Sequence, residues 1–438
     1  MTVRPWRRAL AWAAVCSLVF MVAYGGCTYV TAHRSDVGSL YFDWELKLPF
    51  VPLMIVPYWS IDLLFVGSFF LCSVREELDL LGRRILLAIV LAAVCFLLFP
   101  LRIAFPRPDV PGFQGALFRL LRGFDGPYNL VPSLHIALRT LLADVYARHA
   151  RGALRVLVHA WFSLIGISTV LTYQHHVIDV AGGFVLALLC FYLLRGARVR
   201  APVTPNPRIG GYYVAACVLT SALAAAAWPW GSLLAWPAVA LAIVASGYFG
   251  VGPSVYRKEG DRLALSARIL LAPCLFGQWL SLVHYRRRCR PWDEIVPGLW
   301  IGRQLSDREA ADALRAGVTS VLDVAAEFSE ATPFRAATRL SLPILDLTAP
   351  TPDQLRAAVG FLSEQRDRDR SGGGATYVHC KIGWSRSAAV AGAYLLHARE
   401  ASTVDEALSL MRRARPSLVV RPEAVAALRG FDAAERQR

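Results

Sequence analysis

Lysine is nearly absent from this 438-residue chain. Lys47, Lys258 and Lys381 are the only three, so arginine carries almost all of the net charge of +15. That bias is the one expected of a GC-rich, bacterial genome. Charged residues of both signs are also scarce, at 18% against 55% hydrophobic, where a soluble domain has about 25% and about 45–50%. The nine cysteines include no Cys-x2-Cys pair, which excludes a thiolate metal knuckle. Seven of them (Cys16, Cys27, Cys72, Cys95, Cys190, Cys217, Cys274) lie in or beside apolar runs and read as small packing residues. There is no internal repeat and no low-complexity tract. Basic residues are not interleaved with aromatics in the manner of a nucleic-acid surface, so no nucleic-acid partner is expected.

What the chain has is long apolar runs. They fill residues 7–284, and 286–438 has the composition of an ordinary soluble domain. Eight runs approach the roughly 20 residues that cross a bilayer: 9–30, 50–72, 85–104, 130–147, 154–172, 177–195, 211–229 and 232–250. The first has Arg4, Arg7 and Arg8 before it and is too long for a cleaved signal core, so it is expected to be retained. Alternate linkers hold the arginines: 4–8, 75–84, 148–155 and 195–208. The positive-inside rule then puts both termini in the cytoplasm, of a bacterial inner membrane by composition. Residues 268–284, with Pro273, Gln278 and basic flanks, read as an interfacial helix rather than a ninth span. The basic cluster at 286–290 suits anionic headgroups.

From Pro291 the pattern alternates between strands and helices. Strands are expected at Leu299–Gly302, Val318–Val324, Leu340–Leu347 and Ala375–Cys380. Helices are expected at Ser306–Ala316, Asp353–Gln365, Ser385–Arg399, Thr403–Arg413 and Arg421–Ala434. Such alternation implies an α/β domain with a mostly parallel central sheet after an all-α polytopic helix bundle. The expected divisions are N-terminal spans at 1–84, a membrane core at 85–197, two further spans at 198–252, a basic linker at 253–290 and the α/β domain at 291–438.

The sharpest local pattern is Val378-His-Cys380-Lys381-Ile382-Gly383-Trp384-Ser385-Arg386-Ser387. A strand feeds a short loop that opens a helix. The loop's N–H groups converge where the helix starts, a cradle for an anion. Cys380 at its head is a thiol that this field and Arg386 should acidify. Arg386 offers a planar fork for two phosphate oxygens, and Gly383 permits the tight turn.

Inside the apolar region three ionisable residues stand out: His135 in Val131-Pro-Ser133-Leu-His135, and His175 and Asp179 in Gln174-His-His-Val-Ile-Asp179. Ionisable groups within spans default to a functional reading. His175 and Asp179 are four apart on one helix face. Asp179 can hold one imidazole nitrogen and leave the other free to attack phosphorus. His135 can protonate the departing oxygen. Both segments begin alternate spans, so they share one membrane face, expected to be extracytoplasmic. His176 is the weaker candidate, three residues from Asp179. No metal or cofactor is needed for either pattern.

The Cys-x5-Arg loop resembles the signature of protein tyrosine and dual-specificity phosphatases, over about residues 293–434. The resemblance implies Cys380 as nucleophile and Arg386 as phosphate clamp. It further implies Ser387 in thiolate release and residues 381–385 as the phosphate cradle. It also implies an aspartate general acid, for which Asp346 is the first candidate and Asp353 the second. The membrane segments resemble the type-2 phosphatidic acid phosphatase superfamily over about 85–197. Pro132-Ser133-Leu134-His135 has Leu where that family has Gly, and Thr169 stands where it has Arg before the later His. Of its Lys-x6-Arg-Pro motif only Arg107-Pro108 survives, with Pro100 at the Lys position and Arg102 as a substitute. These departures look more like the inositol phosphorylceramide synthase branch, which transfers a headgroup. The resemblance implies Ser133, Arg102 and Arg107 as phosphate contacts and membrane lipids as partners. The run Leu342-Pro-Ile-Leu-Asp346 with His379-Cys-Lys381 is also similar to phosphatidylglycerophosphate phosphatases, so a phosphorylated lipid is the expected cytoplasmic substrate and a phosphoprotein the rival.

Overall fold

The computed structural model describes residues 5–195, 203–227, 230–372 and 374–437. Arg4, Arg198 and Arg200, used above for orientation, lie outside them. The backbone forms two compact units, residues 1–198 and 199–438.

The first unit is all helical: α1 (Trp6–Ala32), α2 (Ile55–Leu71), α3 (Arg75–Leu98), α4 (Gly112–Phe124), α5 (Leu134–His149), α6 (Gly152–Leu171) and α7 (Val177–Leu193). Its core runs between the long helices, through Ala9, Cys16, Ile85, Ile89, Leu142 and Cys190. The buried cysteines here are free and pack as small apolar groups,. The second unit begins with α8 (Pro207–Ala226) and α9 (Ala235–Ser246). The chain continues through two-residue strands β1 (Lys258–Glu259) and β2 (Arg262–Leu263), then α10 (Leu265–Leu270) and α11 (Ala272–Arg286).

Among the described residues, six segments are long and apolar enough to cross a membrane: Trp6–Ala32, Pro52–Leu71, Arg75–Leu98, Gly152–Leu171, Pro207–Ala226 and Ala235–Tyr256. The expected spans 130–147 and 177–195 are not among them. The latter is α7, apolar but 17 residues long. The former is the 16-residue α5, which carries Arg139 and Asp144. It is the inner helix of the bundle, with Ile136, Ala137, Leu141, Leu142 and Val145 all buried. Neighbouring helices rather than lipid satisfy its polar groups: Arg139 Nε donates to the Phe162 carbonyl at 2.6 Å. Residues 268–284 break at Leu271, where Pro273 starts a new helix at its second position,.

The α/β part contains β3 (Trp292–Val296), β4 (Leu299–Arg303), α12 (Asp307–Arg315), β5 (Val318–Ala325), β6 (Thr338–Ile344), α13 (Pro352–Gly372), β7 (Ala375–Cys380), α14 (Ser385–His397), α15 (Val404–Ala414) and α16 (Pro422–Arg436). The sheet order is β3-β4-β7-β5-β6. Only β3–β4 is antiparallel. Successive strand residues face opposite layers: Leu322 and Val378 join the core under α13, α14 and α16, while Val321 and Tyr377 pack with α12. β3 was not expected from the sequence; it is a hairpin edge closed by the Pro297–Gly298 turn. β6 stops at Ile344, three residues before the expected end. Leu345–Leu347 leave the sheet as a turn, with Leu347 at φ +60°. α12 starts as its sequence suggests, on a Ser306/Glu309 capping box,.

Candidate active sites

In the first unit the N-termini of α5 and α7 meet. Gly183 on α7 allows the approach, since a Cβ there would collide with the Ser133 carbonyl and stand 2.7 Å from Ile136 Cβ. The Ser133 N–H donates to the Asp179 carbonyl at 3.0 Å. The Ser133 hydroxyl is used as the α5 cap, accepting the Ile136 N–H at 3.2 Å,. Asp179 accepts the His176 N–H at 2.8 Å and stands 3.4 Å from His175 Nδ1 with the same oxygen. This leaves Nε2 of His175 for other chemistry.

His135 and His175 line one cavity of about 470 Å³, together with Tyr24, Tyr58, Asp62 and Asp125. The His135 ring stacks on Tyr58, centroids 4.3 Å apart, and its buried Nε2 has no hydrogen-bond partner among the described residues. Asp125 accepts from Tyr24 at 2.6 Å and from Tyr58 at 3.3 Å. Arg107 reaches only the Asp125 carbonyl, at 3.4 Å. Arg102 is exposed and lies outside the cavity lining; its backbone pairs with Gly38. His176 is an anchor instead: Nε2 accepts the Ala104 N–H at 3.2 Å, Nδ1 faces buried Glu45 at 3.4 Å, and the ring stacks on Tyr41. The sequence reading missed Asp62, Asp125 and both tyrosines. A carboxylate in the otherwise apolar α2 run was the available signal for Asp62.

In the second unit β7 delivers Cys380 to the floor of a pocket of about 280 Å³, whose lining includes Lys381, Arg386, Asp346, Trp384 and Tyr285. Gly383, at φ +75°, packs so close to the Gly302 backbone that any side chain would clash. That turn aims its N–H at Cys380 Sγ, 3.3 Å away. Arg415 supports the loop from behind, fully buried and donating to the Ile382 carbonyl at 3.1 Å and Asp293 at 2.6 Å. The Ser385 hydroxyl donates to the Val419 carbonyl and accepts from Arg421 N–H.

Arg386 makes a two-pronged pair with Glu327, at 2.9 and 2.7 Å, and donates to Asp346 at 3.0 Å. Lys381 also holds Asp346 and donates to Gln278 of α11 at 2.8 Å. Burial alone would push the Cys380 thiol up. The Arg386 charge and the N–H groups of Ser387 and Trp384 outweigh it, so the thiol is held below its ordinary value,. Burial likewise opposes ionisation of Asp346, and Arg386 and Lys381 again win, keeping it a carboxylate below the usual range. Asp353 is turned out on the first turn of α13, paired with Arg356, and does not reach the pocket lining. Glu327 was invisible in the sequence except through the general need of a buried guanidinium for a counter-ion.

Behind the loop, His379 Nε2 donates to the Glu330 carboxylate at 2.6 Å. Burial disfavours its charge, but Glu330 and Asp323 prevail and raise it to about 9. Lys258 balances Asp323. Asp323, Glu330 and His379 cluster closely enough for a metal, but these two ion pairs already account for the charges.

Residues 51–193 match the PAP2 superfamily and residues 299–433 match the dual specificity phosphatase catalytic domain. A curated relative, dual specificity protein phosphatase 12 of Mus musculus, is 33% identical over 132 residues, 29% of this chain. The chain spans 37% of that relative's length. Among solved structures, human DUSP28 is 29% identical, covering 34% of this chain and 96% of its own, with TM-score 0.28. The active form of Tk-PTP is 28% identical over 33% and 97%, with TM-score 0.30. The chain therefore carries two phosphatase-family domains in one polypeptide: a PAP2 superfamily domain and a dual-specificity phosphatase catalytic domain.

Proposed function

We propose that this chain is a bifunctional membrane phosphatase whose cysteine site hydrolyses a phosphomonoester on a membrane lipid. The supporting observation is the wall of the Cys380 pocket contributed by α11. Gln278, Ser281 and Tyr285 turn to the pocket, while Phe276, Trp279 and Leu280 on the other face stay exposed. An amphipathic helix with that division, followed by Arg286, Arg287 and Arg288, suits a bilayer surface. It would bring the pocket to lipid headgroups.

In this mechanism the Cys380 thiolate attacks phosphorus and the P–O bond to the leaving group breaks. Arg386 and the loop N–H groups hold the equatorial oxygens. An incoming phosphate monoanion competes for Arg386 and Lys381, which frees Asp346 to take the substrate's own proton and pass it to the leaving oxygen. Water then attacks the phosphocysteine with Asp346 as base, and Ser387 stabilises the departing thiolate.

At the PAP2 cavity His175 Nε2 would attack phosphorus, Asp179 fixing its tautomer and His135 protonating the leaving oxygen. Headgroup transfer is the second reading there. It is favoured by the carboxylates Asp62 and Asp125, which repel a phosphate but suit an acceptor's hydroxyls. The arginine-rich linkers support cytoplasmic termini and an outward-facing histidine site in a bacterial inner membrane, with the shorter α5 and α7 crossing as well.

The test is turnover of purified full chain on phosphorylated lipids in mixed micelles and on phosphopeptides. Lipid phosphate is expected to be hydrolysed, and Cys380→Ser to abolish that share. Activity confined to phosphopeptides would end the lipid proposal. Phosphate binding without any Cys380-dependent turnover would leave a non-catalytic scaffold.

A further inference from the structure

The loop that carries Asp346 is fastened from outside its own domain. Asn206 is the N-cap of α8; its Oδ1 accepts the Ile209 N–H at 3.3 Å, and its Nδ2 donates to the Leu347 carbonyl at 2.8 Å. Tyr248, in the π-turn that ends α9, donates its hydroxyl to the Asp346 carbonyl at 3.0 Å. The two anchors are themselves joined, since Asn206 N–H donates to the Tyr248 carbonyl at 3.0 Å. Tyr248 is fully buried and stacks on Tyr213 of α8, centroids 5.5 Å apart. Tyr213 in turn accepts from Gln278, the α11 residue bonded to Lys381. π-turns are rare and concentrate at functional sites.

The anchored segment needs holding. Leu347 sits at φ +60°, a conformation that a branched L-residue rarely adopts without support. The Asp346 side chain is placed by that backbone. Both of its oxygens are engaged by Arg386 and Lys381, so a small swing of the main chain changes which group it meets. The two carbonyls fixed by Asn206 and Tyr248 are those of Asp346 and the residue after it.

We infer that Asn206 and Tyr248, from the two apolar helices before the phosphatase domain, are positioning residues for the general acid, so that proton delivery depends on those helices. This rests on the reading of Asp346 as the acid, and the test separates the two. The substitutions are near-isosteric. Tyr248→Phe removes only the hydroxyl. Asn206→Asp keeps a helix-capping oxygen but has no N–H for Leu347. Full-length protein in detergent is assayed on decyl phosphate, whose alkoxide needs a proton to leave, and on p-nitrophenyl phosphate, whose phenolate does not. Turnover remaining in Cys380→Ser is subtracted to remove the PAP2 site.

Asp346→Asn should lose about 10²–10⁴-fold in kcat/KM on decyl phosphate and far less on p-nitrophenyl phosphate, because kcat/KM ends at departure of the leaving group and excludes the phosphocysteine hydrolysis that both substrates share. The Asn206→Asp/Tyr248→Phe double variant should show the same selectivity in weaker form, about tenfold on decyl phosphate for two lost hydrogen bonds. Its kcat/KM on p-nitrophenyl phosphate should stay within about twofold, as expected where the nucleophile and its cradle are untouched. Its alkaline limb on decyl phosphate should also shift. If Asp346→Asn is selective and the double variant loses equally on both substrates, or loses nothing, the anchoring proposal is overturned. If Asp346→Asn itself shows no dependence on the leaving group, Asp346 is not the acid and the anchoring proposal falls with it.

Discussion

At Cys380 burial and charge oppose each other, and the thiolate survives because Arg386 and three peptide N–H groups face it. Alkylation by iodoacetamide should therefore follow a midpoint below the ordinary thiol value of about 8.5. Arg386→Lys keeps the charge but loses the fork. It should leave that midpoint low while kcat falls on the order of 10²-fold, which alkylation and turnover read separately. His379 sets a second pH dependence. Its folded pKa of about 9 exceeds the unfolded value of about 6.5. It thus adds stability that is complete below pH 6.5 and is lost as pH rises through 9, on the order of 3 kcal/mol. Thermal unfolding at pH 6.5 and 9.5 should show that slope, and His379→Gln should flatten it. Cys380, Arg386 and Gly383 were legible from spacing because the loop's chemistry is local. Glu327 was not, because an ion pair 59 residues apart leaves no trace in spacing.

Helices and strands carry their own consequences. Gly183 is required by the contact between α5 and α7, so Gly183→Leu should pry Ser133 from Asp179. The expected result is loss of histidine-site turnover, measured in a Cys380→Ser background, at a cost of about 1–3 kcal/mol in stability. On α11, replacing Phe276, Trp279 and Leu280 with Ser should raise KM for a bilayer-embedded substrate and leave p-nitrophenyl phosphate hydrolysis unchanged. Equal effects on both would remove α11 from substrate delivery. Several elements were readable from periodicity and caps, α12 and β7 among them. The strand drawn through Leu347 was too long, because an apolar run does not reveal where backbone leaves a sheet to present a carboxylate. The expected span 130–147 is the 16-residue α5, whose apolar residues are buried among neighbouring helices.

For the whole molecule, two compact units each with a core of their own imply separable chemistry. His175→Ala and Cys380→Ser should each remove one activity, and the double variant should lose the sum, as expected for independent sites. The last two apolar helices belong to the same unit as the α/β domain, although composition groups them with the membrane runs. The order of residues alone was enough for the apolar runs, the Cys380–Arg386 loop and the His175–Asp179 pair, since each is written within a few positions along the chain. Only the tertiary structure decided that Asp346 rather than Asp353 meets Arg386, that His135 shares a cavity with His175, and that Asn206 and Tyr248 hold the Asp346–Leu347 carbonyls. Those choices depend on contacts between residues far apart in the chain, which are settled by packing and by the need to satisfy every buried polar group.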